Sequence, residues 1–369
     1  MKVLGFMSGT SLDAVDMAVL ETDGREIIAF GPAAERKLTV ATRAAVMRAI
    51  EDAKNWGRGE KRPSSFAAAS WAVAQEHLTA AREFLHQAGI RPSHLDLVGF
   101  HGQTVLHERP DGGRPGRTVQ LGDANILAKG LNLPVACDFR SADVAAGGQG
   151  APLAPVYHAA LARYSGVDRP VAVLNLGGVG NITLFTGNEA ELLAFDTGPA
   201  NGMIDQLVQS RTSERCDVNG GWAASGKVDE DALAILLAHP YFITPGPKSL
   251  DRYDFSLFPV RTLSIEDACA TLTAFAAETV ALGVAALPVK PGWLVACGGG
   301  RHNPVLMREI GARAGVPVTT AEEVGWRGDS IEAEAFAYLA ARTRLGLPIS
   351  FPCTTGVSEP MTGGVIVEP

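Results

Sequence analysis

The sequence predicts an α/β protein of two related halves, and three observations carry that expectation. Short apolar runs of strand length alternate with longer helix-length segments along the chain. The 369 residues exceed what one core usually organises, at roughly 100–200 residues per domain. A strand, a Gly-rich polar turn and a second strand occur twice: VLGFM, SGTSLD and DMAVLE from Val3, then VAVLNL, GGVGN and ITLF from Val171. Such turns leave backbone N–H groups unpaired and can line an anion. Two of them opening successive α/β units suggest a duplicated architecture with a phosphate loop on each side of a cleft.

In chain order, Val3–Met7, Asp16–Glu21 and Ile27–Phe30 read as strands, followed by a helix over Ser65–Ala88 and a strand over Leu95–Phe100. The polar, Gly- and Pro-rich stretch from Glu108 to Arg117 reads as an exposed loop. A helix over Asp123–Lys129, a strand over Val135–Phe139 and a helix over Pro152–Arg163 come next. Strands follow at Val171–Leu176, Ile182–Phe185 and Leu192–Asp196. Ser264 before Glu266 and Asp267 is an N-cap with an acidic first turn, opening a helix over Ile265–Ala286. The strand Trp293–Cys297 and the helices Pro304–Ala314 and Ser330–Arg344 complete the series.

Composition narrows the function. Hydrophobic residues make up 46% and charged residues 20%, which is globular rather than disordered. A net charge of −8 counts against nucleic acid or an anionic membrane as partner. The five cysteines, Cys137, Cys216, Cys269, Cys297 and Cys353, show no C-x-x-C spacing and read as free thiols in a reducing compartment. The apolar run Val3–Met7 is too short for a signal peptide, and no uninterrupted apolar stretch approaches the roughly 18 residues of a membrane span. A soluble cytoplasmic protein is expected.

Two motif matches fail on context. Gly221 to Lys227 fits G-x-x-x-x-G-K, but Val228 stands where a hydroxyl must reach Mg²⁺ and the preceding residues are polar. Gly178-Val-Gly180 continues into Asn-Ile-Thr and does not complete a dinucleotide fingerprint. Better placed are Gly298-Gly299-Gly300, between a buried strand and the helix opening at Pro304, either a simple strand–helix turn or a place where a nucleotide base or ribose could lie against bare backbone. Asp196 ends an apolar strand before Thr197-Gly198-Pro199, suited either to a cleft or to capping a helix. Asp13 and Asp16 flank the first glycine turn, to orient a metal-bound water or cap the hairpin. Arg140 lies in a long Gly-rich stretch containing Gly147 and Gln149, free to grip a carboxylate or to pair with Asp138 or Asp143. His101 and Gln103 follow a strand, where sugars are commonly held, though His101 also reads as a lone histidine satisfied within the protein. Glu332 on its own reads as a solvated or capping residue.

Taken together, Met7-Ser-Gly-Thr-Ser-Leu-Asp13, His101-Gly-Gln-Thr104, Asp138-Phe-Arg140 through Gly147 to Pro152, Asn175-Leu-Gly-Gly178, Phe195-Asp-Thr-Gly-Pro199, Gly298 to Gly300 and Glu332 run in one order across the chain. In this the sequence resembles the anhydro-N-acetylmuramic acid kinases, bacterial sugar kinases of the actin/hexokinase/Hsp70 ATPase superfamily. It departs from them at Ala14 and Ala200, where glycine is usual. The resemblance implies two RNase H-like lobes about a central cleft. It also implies ATP-dependent opening of 1,6-anhydro-N-acetylmuramic acid with phosphorylation of O6, in peptidoglycan recycling.

The resemblance further assigns the parts. Asp196 is the base, with Glu332 helping to hold the water. Gly9, Thr10, Ser11, Leu12, Asp13, Ala14, Val15 and Asp16 form the nucleotide site on one side. Gly177, Gly178 and Asn181, with Gly298, Gly299 and Gly300 for the adenosine, form it on the other. His101, Gln103, Arg140, Gly147 and Gln149 bind the sugar, Arg140 through its lactyl carboxylate. The implied partners are ATP, Mg²⁺ held mainly through phosphates and water, and the sugar, with a homodimer allowed. The expected lobes are 1–134, completed by 346–369, and 135–345, the latter carrying Asp196 and the adenosine turn.

Overall fold

A computed structural model describes residues 1–9, 12–244, 248, 250 and 254–369. It divides into two compact units, Met1–Tyr164 with Ser330–Pro369, and Ser165–Asp329.

The first unit contains β1 (Lys2–Met7), β2 (Ala14–Thr22), β3 (Ile27–Lys37), β4 (Leu97–Phe100), β5 (Gln103–Glu108), β6 (Arg117–Leu121) and β7 (Val135–Cys137). Its main sheet has the order β3-β2-β1-β4-β7, closed by the C-terminal strand Val365–Val367, while β5 and β6 form a separate hairpin. Strands β1, β4 and β7 are parallel and β2 is antiparallel to both its neighbours. Leu4 and Phe6 on β1 join a core with Val46, Phe66, Leu78 and Phe84 from the helices Val40–Lys54 and Ser65–Gln87. The strand's two-residue period turns Gly5 to the opposite face. There Gly5 and its register partner Gly99 admit the helix Ile331–Arg344 against bare backbone. A β-carbon on Gly5 would stand 2.0 Å from the Ala333 carbonyl oxygen, and one on Gly99 2.2 Å from that of Phe336. This helix, with Glu332 in its first turn, is thereby seated on the sheet.

The second unit contains β8 (Val171–Leu176), β9 (Val179–Phe185), β10 (Leu193–Pro199), β11 (Trp293–Cys297) and β12 (Val318–Thr320), in the order β10-β9-β8-β11-β12. Here β8, β11 and β12 are parallel and β9 is antiparallel to both neighbours. Order and directions repeat those of β3-β2-β1-β4-β7, so the weak sequence repeat is a repeat of topology. This is the RNase H-like layout of actin/hexokinase-type lobes. Helix Ile265–Ala285, whose first turn is capped by Ser264 accepting from the Asp267 N–H, is long and apolar enough to span a membrane. It is instead mostly buried, contributing Ala276, Ala277 and Val280 to one core and Leu272 and Phe275 to another.

Several expectations need correction. The lobe boundaries fall at 164/165 and 329/330 rather than 134/135 and 345/346. The physical reason is that β7 pairs with β4 and the helix Ile331–Arg344 packs on β1 and β4, both in the first unit. Strand β3 runs on to Lys37 through Gly31 and Pro32, which an edge strand tolerates. The expected loop after Glu108 is closed at its base, where Arg117 pairs with Glu108 at 2.6 Å across the β5–β6 hairpin. Gly221–Ser225 is a short helix with no strand before it, in keeping with the rejected P-loop.

Three buried histidines make the first unit sensitive to acid. Desolvation pushes His77 and His158 down to about 4, and holds His101 well below the usual imidazole range with help from Arg140. Their protons are taken up only on unfolding, so stability is complete above pH 6.5 and falls as pH drops toward about 4. Each histidine contributes a slope of up to about 1.4 kcal/mol per pH unit in that window. Calorimetry between pH 7.5 and 4.5 is expected to show the thermal midpoint falling steadily below pH 6.5. Replacing His158 by Leu should flatten the fall.

Candidate active site

In the second unit, two of the expected glycine turns close the carboxyl ends of the adjacent parallel strands β8 and β11, the usual ligand-binding end of such a sheet. The Gly177-Gly178 turn is stitched to the start of the helix Asn201–Arg211. Gly177 O accepts from Asn201 N at 3.0 Å, and Gly178 O accepts from Ala200 N and Gly202 N at 3.1 Å each. Asn201 Nδ2 donates to Leu176 O at 3.0 Å. The Gly298–Gly300 turn packs on the same strand end, since a β-carbon on Gly300 would lie 2.6 Å from Leu176 Cβ. Gly299 is exposed, and a β-carbon there would meet only Asn201 Nδ2, at 3.9 Å. Two glycine turns thus meet at one strand end, a backbone-lined place suited to phosphates and a nucleoside.

Gly298 must be glycine. Its φ of +75° and ψ of 171° belong to a region closed to L side chains, and a β-carbon would meet Asn175 Oδ1 at 2.3 Å. Gly298→Ala is expected to raise the KM for ATP by tenfold or more and lower stability by about 1–3 kcal/mol. Steady-state kinetics and denaturant melts check both. Ala14 pairs with Lys37 inside β2 with no positive φ, so that place does not call for glycine, while Ala200 has φ −115° and ψ −111°.

Asp196 sits on β10, beside a bulge between Asp196 and Gly198. Its Oδ1 accepts from Asn181 Nδ2 at 2.9 Å and its Oδ2 from Leu250 N at 2.7 Å. Ala200, not Asp196, occupies the N-cap of the following helix. Asn181, expected among the nucleotide contacts, therefore spends its amide on fixing the carboxylate. Sequence reasoning missed the neighbours around Asp196 altogether. Tyr241 Oη donates to Asp196 O at 2.5 Å, and Asp196 N donates to Lys248 O at 3.0 Å.

In the first unit, the turn after β1 is held from behind by the His101-Gly-Gln segment. Gly9 O accepts from Gln103 Nε2 at 3.2 Å, and Ser8 Oγ donates to Gly102 O at 3.5 Å. Thr10 and Ser11 lie outside the described residues. Leu12, with φ +57°, points into the core, and Asp13 is exposed at the turn. Ala14, Val15 and Asp16 belong to β2; Val15 is fully buried, so its side chain is closed to a nucleotide.

Arg140 is half-buried. Its Nε donates to His101 Nε2 at 2.9 Å and its Nη1 to Gly150 O at 2.7 Å. No carboxylate pairs with it among the described residues, so the ion-pair reading with Asp138 or Asp143 is set aside. Burial pushes the guanidinium down to about 10, opposed by the nearby charges of Glu332 and Asp143, and it stays cationic at neutral pH. His101 accepts from Arg140 at Nε2, so Nδ1 carries the proton and donates to Gly102 O at 2.8 Å. His101 and Gln103 are 4% and 1% exposed, His101 bonded to protein at both ring nitrogens and Gln103 through Nε2. Expected as direct sugar contacts, they instead support Arg140 and the Gly9 turn.

The neighbouring loop is fixed by Asp143, which is buried and accepts from Gly150 N at 2.6 Å and Thr355 Oγ1 at 2.5 Å. Gln149 N donates to Thr355 O at 2.7 Å, while Gly147 is exposed with φ +89°. Glu332 is exposed in the first turn of its helix, close enough to Arg140 to favour its charged form.

The chain has relatives over its whole length. The family model described as anhydro-N-acetylmuramic acid kinase matches residues 1–369. A protein of that name from Phenylobacterium zucineum is 63% identical over 369 residues, covering all of both chains. Another from Caulobacter vibrioides is 63% identical over 367 residues, covering 100% of this chain and 99% of its own. A third from Brucella anthropi is 49% identical over 365 residues, covering 99% and 98%. A full-length match at such identity leaves one conclusion: the chain belongs to the anhydro-N-acetylmuramic acid kinase family.

Proposed function

We propose that the protein uses ATP and water to convert 1,6-anhydro-N-acetylmuramic acid into N-acetylmuramic acid 6-phosphate and ADP, within cytoplasmic peptidoglycan recycling. The observation that carries this reading is the family match over the whole chain. The site supports it with an anchored carboxylate, glycine turns that suit phosphates and an uncommitted cationic edge on Arg140 that suits a lactyl carboxylate.

Asp196 removes a proton from water, whose oxygen attacks the anomeric carbon as the C1–O6 bond breaks. Glu332 helps orient that water. The released O6 takes the γ-phosphoryl group of ATP, whose bond to the β-phosphate oxygen breaks to leave ADP, without a covalent enzyme intermediate. Such transfer depends on positioning and charge neutralisation, here by backbone N–H groups at Gly177-Gly178 and the Gly9 turn. Among the described residues no group of three His, Cys, Asp or Glu gathers as a metal cage. Mg²⁺ carried on the phosphates and water would supply further charge neutralisation, and Asp13, exposed at the first turn, would bond its water shell.

An ATP-turnover screen tests the reading. The anhydro sugar is expected to drive ADP release, with glucose, N-acetylglucosamine and N-acetylmuramic acid giving under about 1% of its kcat/KM, since the latter three lack the strained anhydro bond or the lactyl group. Preferred turnover of an ordinary hexose would overturn it.

A further inference from the structure

Strand β10 is the edge of its sheet, and an edge strand turns part of its backbone polar groups away from its neighbour. At Asp196 these groups are taken up by one distant segment. The Asp196 N–H donates to Lys248 O at 3.0 Å, and the Asp196 carbonyl accepts from Tyr241 Oη at 2.5 Å. The same segment supplies Leu250 N–H to the carboxylate itself, at 2.7 Å. Tyr241 is in turn fixed by Lys248, whose ammonium lies 4.4 Å from the ring centroid and donates to Tyr241 O at 2.9 Å. The bulge between Asp196 and Gly198 breaks the regular ladder to β9 next to this residue, so anchorage from the open side matters more here than along an unbroken strand.

We infer that Tyr241 is a positioning residue for the catalytic base: its hydroxyl, with the Lys248 carbonyl, fixes the Asp196 backbone and so the aim of the carboxylate. This rests on the reading of Asp196 as the base. A carboxylate displaced by a fraction of an ångström still binds the same ligands around it but meets the water at the wrong distance. The consequence is a loss in kcat with little change in KM.

Tyr241→Phe keeps the ring beneath Lys248 and removes only the hydroxyl. Its kcat is expected to fall about tenfold, with KM for ATP and for the anhydro sugar within about twofold of the parent. In an Asp196→Asn background the same change should cost nothing further, because a base that no longer accepts a proton gains nothing from aim. A Tyr241→Phe protein with unchanged kcat, or one whose loss multiplies fully onto that of Asp196→Asn, overturns the inference. If Tyr241→Phe does not fold, Lys248→Met replaces it. That variant keeps the backbone carbonyl, frees the Tyr241 ring, and is expected to give the same kcat-only loss and the same non-additivity. Near-normal turnover by Asp196→Asn alone would instead overturn the assignment of the base, which separates the two failures.

Discussion

Asp196→Asn is expected to lower kcat by about 10²–10⁴ while leaving the affinity for ATP within a few-fold of the parent. The asymmetry follows from the separation of duties in the second unit. In this reading the Gly177-Gly178 turn holds the phosphates, whereas Asp196 is fixed by Asn181 and Leu250. Both carboxylate oxygens accept from N–H donors, so the amide must turn its NH₂ toward one of them. A stability cost of about 1–3 kcal/mol accompanies the substitution and has to be measured by denaturant melts alongside the kinetics. Isotope tracing supplies the second readout. In ¹⁸O water the label is expected at C1 of the product and not in its phosphate, sampled within the first minutes before the hemiacetal exchanges. Label in the phosphate, or near-normal turnover by Asp196→Asn, would move the base elsewhere, with Glu332 the next to test.

Legibility in the sequence followed how local the determining physics was. Strands β8 and β11 and the helix Pro304–Ala314 match their expected bounds residue for residue. Each is an apolar or capped run ended by glycine or proline. The helix Val40–Lys54 escaped notice although Thr39 caps it, because Val40 and Met47 are exposed and blur its apolar stripe. The lobe boundary was misplaced because β7 is only three residues long and its membership depends on pairing with β4, 35 or more positions away.

In the site, residue types were legible and their duties were not. A polar side chain at a strand end can face a ligand or a neighbouring loop, and His101 and Gln103 face loops. Tyr241 was illegible because its bond to Asp196 uses a backbone carbonyl 45 positions distant, which leaves no trace in local pattern. Where the determining contact is backbone-mediated and remote, only the fold exposes it.

The other large effect is expected at Arg140, and it is one of specificity. The guanidinium is spent on two sides, Nε on His101 and Nη1 on Gly150 O, which presents its remaining edge in one direction. A carboxylate meeting that edge gains a charge-assisted contact worth about 2–4 kcal/mol, so Arg140→Ala should lower kcat/KM for the anhydro-muramic substrate by about 30- to 1,000-fold. For 1,6-anhydro-N-acetylglucosamine, which has no lactyl group, the loss should be under about fivefold, because nothing in that sugar uses the charge. Arg140→Lys is the sharper variant. It keeps the charge but cannot bond His101 and Gly150 at once while presenting a fork, so it should recover only a small part of the lost preference. His101 loses its partner in either variant, and a common drop in stability is expected from that. The ratio of kcat/KM for the two sugars cancels it. An equal loss for both sugars would make Arg140 a prop for the loop around Gly150 and leave the lactyl carboxylate to be recognised elsewhere.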